Sequence, residues 1–188
     1  MTARRALGWV LLVAYAVWAC ALDGALAFSL RDFAWRPDLL AVLLVALAAR
    51  LPAADLPALA LCCALARTSV SIDPPVTSFA LCLGMVALAR VVRGIVDVQG
   101  AWPSSVLSGA CAGLGVLWCA LAHDARLAAA RSDGFVLPMD WPLALAEAGR
   151  RALATALVAL ALGAASARLP GLGTLWRRTT WHVGASSR

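Results

Sequence analysis

The chain has 188 residues, 63% of them hydrophobic and 14% charged, with a mean hydropathy of +0.85 and a formal net charge of +6. A soluble domain is about half apolar and roughly a quarter charged, so this composition excludes a soluble globular protein and describes a polytopic membrane protein. All 16 basic residues are arginine and most flank apolar runs, which makes the charge an anchor at lipid headgroups and removes nucleic acid from the expected partners.

The pattern predicts an all-α polytopic bundle, a single integral membrane domain over 1–188. About six transmembrane helices are expected near 6–28, 38–54, 56–72, 76–96, 103–122 and 142–168, with 169–188 as a cytoplasmic tail. The first run, charge-free from Ala6 to Leu22, follows Arg4 and Arg5. It has the basic start and apolar middle of a signal peptide, and Ala19 and Ala21 flank Cys20. Its length, and the further apolar runs after it, favour a retained first span.

Spans 2 and 3 are short, charge-free only over Leu39–Ala49 and Leu56–Ala66. They cross if Arg50 and Arg67 snorkel from near a helix end; otherwise they form a re-entrant pair. Both alternatives leave the other spans in the same orientation. Next, Asp73-Pro74-Pro75 stops one helix and starts another, because proline lacks an amide donor and pushes the residue before it out of helical geometry. Arg67 then sits about one turn inside the outer surface. It can pair with Asp73 locally, or with Asp23 or Asp38 across the bundle.

Span 4 runs from Val76 to Ala89 and can extend through Val92. Span 5, Ser104 to Ala122, carries Gly109 and Gly113 in a GxxxG spacing that suits close helix packing within the chain. Asp140 can cap the helix that leads into span 6, with Pro142 in its first turn and Glu147 facing Arg150 and Arg151. This lead-in is either a solvated amphipathic stretch or a charged patch that a partner contacts. Trp35, Trp102, Trp141 and Trp176 stand just outside apolar runs, at headgroup level. Arg4, Arg5, Arg90, Arg93 and Arg168, tight against span ends, place both termini in the cytoplasm.

Catalytic patterns are not found. The cysteines (Cys20, Cys62, Cys63, Cys82, Cys111, Cys119) lie in apolar runs without CxxC spacing, as reduced packing residues. His123 and His182 fall on opposite expected sides, which argues against a histidine metal site or a Ser–His–Asp arrangement. Asp23, Asp38 and Asp73 share one expected membrane face, but no two aspartates lie deep within spans. The reading is therefore a non-catalytic protein without cofactor or metal. Its candidate partner-contact or structural residues are Arg67, Asp73, Pro74, Glu147, Arg150 and Arg151, and its candidate packing residues are Gly109 and Gly113.

From Trp35 to Ile72, a WRPDLL lead-in, a short span, a polar break and a second short span follow one another. This resembles the rod shape-determining protein MreD family of small six-span bacterial inner-membrane proteins. Pro37 matches the family's proline near the start of span 2. Pro74 matches the proline of its D-x-x-x-G-x-P-x-G segment between spans 3 and 4. That alignment puts Thr68 at the family's aspartate position and Ile72 and Val76 at its glycine positions, with Ser71 near its Ser/Gly turn. The resemblance implies a scaffold or regulatory subunit of the cell-elongation machinery, involved in rod shape maintenance and peptidoglycan synthesis. Its implied partners are an MreC-like protein, MreB, RodA and a penicillin-binding protein, in the lipid bilayer of the inner membrane.

The alternative is a substrate-binding subunit of an energy-coupling-factor vitamin transporter, a family that resembles MreD in overall fold. Ala21-x-x-x-Ala25 echoes its small-residue docking face. Ser108, Thr155 and Ser166 are the inward polar residues that a pocket would use.

Overall fold

The computed structural model describes residues 3–29, 35–71, 74–95, 100–130, 140–166 and 168–176, and all regular structure among them is helical. The order is α1 (Ala3–Ser29), α2 (Leu39–Ala48), a 3₁₀ turn (Ala53–Asp55), α3 (Leu56–Thr68), α4 (Pro75–Arg93), α5 (Ala101–Ala130), α6 (Trp141–Ser166) and a short α7 (Gly173–Trp176). Asp73 lies outside the described residues, as does the tail beyond Trp176.

Three segments are long and apolar enough to cross a membrane: Arg5–Ser29, Pro75–Arg93 and Ala101–Ala129. Helix α6 has the length, 26 residues, but carries Glu147, Arg150 and Arg151 in its first half. Helices α2 and α3 have 10 and 13 residues. At the helical rise they are about 15 and 20 Å long, against roughly 30 Å of hydrocarbon. Helix α2 stops earlier than the 38–54 reading expects. Pro52 has no amide to donate and excludes Leu51 from helical geometry, so the chain leaves α2 and reaches α3 through the 3₁₀ turn.

The shortest of these apolar helices is the centre of the molecule. Every residue from Leu40 to Ala48 is buried, and α2 packs against α1, α3, α4, α5 and α6. Its sequence, LLAVLLVALA, has no polar face to turn outward, the pattern of a helix enclosed on all sides. Around it, Leu12, Leu59, Cys63, Cys82 and Cys111 are fully or almost fully buried.

The closest helix pair is α5 with α6. A Cβ at Gly109 would come within 2.6 Å of the Ala152 carbonyl oxygen, and one at Gly113 within 3.2 Å of the Ala148 carbonyl oxygen. The GxxxG face is thus occupied by the alanines of α6 in the same chain. Ser105 adds a hydrogen bond from its Oγ to the Ala156 carbonyl at 2.6 Å. The C-terminal segment turns back at Gly171, whose φ of 83° suits glycine, and buries Leu172 and Leu175 against α1. Large apolar side chains such as Val10, Trp18, Phe28, Val106 and Leu157 face outward along the helices, the surface that lipid covers.

Candidate functional site

The first turn of any helix leaves amides without intrahelical acceptors, and in a buried apolar helix water cannot take them. At α2 three helices resolve this. Asp38, with φ −104° and ψ 95°, caps the helix: its Oδ1 accepts from the Ala41 amide at 2.9 Å. The Leu39 amide donates to both carboxylate oxygens of Asp23 on α1, at 3.1 and 3.2 Å. The Asp38 amide donates to Thr155 Oγ1 on α6 at 2.8 Å. Two carboxylates at this end also complement the positive end of the helix dipole.

The remaining oxygen of Asp38 faces two guanidinium groups. Arg67 Nη1, from α3, and Arg151 Nη2, from α6, each lie 3.7 Å from Asp38 Oδ2. These separations are those of ion pairs rather than of tight hydrogen bonds. The Asp38 side chain is 5% exposed, against 19% for Arg67 and 29% for Arg151, so the carboxylate is the buried centre of the triad. Arg67 Nη2 also points to Cys119 Sγ of α5 at 3.7 Å. One charged cluster therefore joins α1, α2, α3 and α6.

A cavity of about 200 Å³ opens beside this cluster, lined by Cys20, Asp23, Gly24, Leu40, Arg67, Val70, Ser71 and Arg151. Arg151 Nε is buried without a hydrogen-bond partner, as is Nε of the neighbouring Arg150.

The other end of α2 is treated in the opposite sign. Arg93 Nη1, from α4, donates to the Ala48 and Leu51 carbonyls at 3.4 and 3.1 Å. Nearby in sequence, Asp55 pairs with Arg5 of α1. Cations at a helix C-terminus and anions at its N-terminus are both favourable. The bundle thus fixes a short buried helix by charges at its two ends.

Comparison with known protein families, with curated proteins and with solved structures finds no match.

Of the residues singled out from the sequence, Arg67 and Arg151 meet at one acid, and that acid is Asp38, one of the three considered for Arg67. Asp23 joins through the Leu39 amide. Pro74 caps α4 and Pro75 opens it. Asp140 caps α6, accepting from the Leu143 amide at 3.2 Å. Glu147 is exposed on α6, whereas Arg151 turns inward to Asp38. All six cysteines are free thiols, and no group of three metal-binding side chains occurs among the described residues.

Three features escaped the sequence reading: the central place of Asp38, the capping of α2 by Arg93, and the Arg5–Asp55 pair. Their one visible signal is an acid immediately before each apolar run too short to span, Asp38 before α2 and Asp55 before α3. Each carboxylate of the cluster at the start of α2 is committed to an α2 amide, so the arrangement's direct effect is to lock four helices together.

Proposed function

We propose that this protein is a non-catalytic scaffold or regulatory subunit of the bacterial cell-elongation machinery, of the MreD kind. In this reading it has six spans in the inner membrane, with both termini in the cytoplasm. The Trp35–Ile72 pattern with Pro37 and Pro74 supports the family. The observation that carries the reading is the convergence of Arg67 and Arg151 on Asp38, where the charges close the start of a central helix and brace its neighbours.

An up-and-down order of six helices puts Asp23, Asp38, Arg67 and Arg151 on one side of the membrane and Arg5, Asp55 and Arg93 on the other. With cytoplasmic termini, the first group is periplasmic. The exposed start of α6, with Trp141, Leu143, Leu145 and Glu147, then faces the same side and supplies the contact for an MreC-like partner.

Deletion of the gene from a rod-shaped host should round the cells, and complementation should restore the rod. Trp141→Ala with Glu147→Arg should weaken co-purification with the MreC-like partner while membrane levels hold. Cells that stay rod-shaped after deletion would sink the reading.

The vitamin-transporter alternative draws support from the cavity. At about 200 Å³, however, it falls below the range of roughly 300–1,000 Å³ usual for drug-sized ligands, which puts this reading second.

A further inference from the structure

We infer that the cavity beside α2 is a binding site for a compact zwitterion, with the ligand's anionic group held by Arg151 and Arg67 and its ammonium group by Asp23. The charged groups on the wall are Asp23, Arg67 and Arg151, with Asp38 directly behind the arginines. Together these four charges sum to zero. A simple anion would meet Asp23, and a simple cation would meet two guanidiniums. A molecule with both charges a few bonds apart satisfies each wall at once.

Size agrees with this. A cavity of about 200 Å³ lies below the usual range of roughly 300–1,000 Å³ for drug-sized ligands and suits a group as compact as an amino acid or phosphoethanolamine. Polar capacity is also in place. Arg67 and Arg151 both reach the wall, and a guanidinium carries five N–H donors. Each Asp23 oxygen accepts from the Leu39 amide and retains a further lone pair. Ser71 supplies a hydroxyl to the same wall, while Leu40, Val70 and Cys20 leave the remainder apolar.

The shared chemistry is an ammonium joined by a short link to a phosphate or carboxylate. An aminophospholipid headgroup and a free zwitterion both carry it. The site is a property of this chain alone and does not rest on the elongation reading.

The test uses the full chain purified in a non-ionic detergent. Native mass spectrometry compares retention of phosphatidylethanolamine and phosphatidylglycerol. In parallel, soluble phosphoethanolamine and glycine are tested for protection of Cys20 against a small neutral methanethiosulfonate reagent, read by peptide mapping. Asp23→Asn is the deciding variant: it keeps an oxygen to accept from Leu39 and loses only the charge. Retention of phosphatidylethanolamine over phosphatidylglycerol by roughly tenfold, abolished in Asp23→Asn, supports the site with a lipid source; tenfold is the scale of one charge-assisted hydrogen bond. Protection of Cys20 by the soluble probes, lost in Asp23→Asn, supports it with a free ligand. Equal retention of both lipids without Cys20 protection, or selectivity unchanged in Asp23→Asn, overturns it. Arg151→Gln should weaken whichever ligand binds. If that variant fails to accumulate, the wild-type and Asp23→Asn measurements still decide.

Discussion

Asp38 makes four contacts from one residue: its amide to Thr155, one oxygen to Ala41, and the other to Arg67 and Arg151. Removing Asp38 leaves two partly exposed guanidiniums facing each other, so the cost falls below the roughly 3–5 kcal/mol of a fully buried pair, and loss of the N-cap adds about 1 kcal/mol. Asp38→Ala should therefore lower the thermal unfolding midpoint in detergent sharply and reduce membrane levels. Thr155→Val, which removes only the acceptor for the Asp38 amide, should cost about 1–3 kcal/mol. Equal melting of Asp38→Ala and the parent would show that the cluster does not hold the fold. Arg67 stood out in the sequence because it ends an apolar run too short to span, and three acids were available to it. The choice of Asp38 was not legible there. It depends on α6 bringing Thr155 and Arg151 to the start of α2 across more than a hundred residues of chain.

At the scale of elements, the helices were legible from their apolar runs and prolines, and α2 was the least so. Its run looks like a weak span because both ends are polar. In the bundle those ends are where Asp23, Asp38 and Arg93 meet it. The α5–α6 seam offers a sharp comparison of two glycines. At Gly109 an added side chain would meet the Ala152 carbonyl, whereas at Gly149 it would meet nothing within 4 Å. Gly109→Val should destabilise the protein by about 1–3 kcal/mol through overpacking. Gly149→Ala should be neutral or stabilise by up to about 1 kcal/mol, the helix propensity difference. Thermal melts of the two variants in one detergent check both. A tolerated Gly109→Val would mean that the helices part easily there.

For the whole molecule, the charged groups that contact α2 and its flanks divide into an α2-start cluster and an α2-end cluster, and this division supports the proposed alternation of spans. Reporter fusions after Trp176 and at Leu127 should therefore give opposite signals, cytoplasmic and periplasmic respectively. Like signals would remove the alternation. The arginines at span ends are the sequence signal on which the proposed orientation rests. The depth of the acids was not readable, because Asp38 looks like a loop residue until α2 is seen to be enclosed.

The shortness of α3 has a mechanical consequence for the surrounding lipid. In the proposed six-span arrangement, this helix offers the acyl chains a wall of about 20 Å between Asp55 and Arg67, through Leu61 and Leu65, where an undisturbed leaflet pair presents roughly 30 Å. Acyl chains beside it must tilt or compress, at a fraction of a kcal/mol per Å of mismatch. In that arrangement the protein would carry a dimple in the bilayer on one flank, and a neighbour with an equally short side would relieve elastic strain by settling there. Reconstitution into lipids of graded tail length should show the highest unfolding temperature in short-tailed bilayers. A flat dependence would mean that the α3 flank is shielded from lipid.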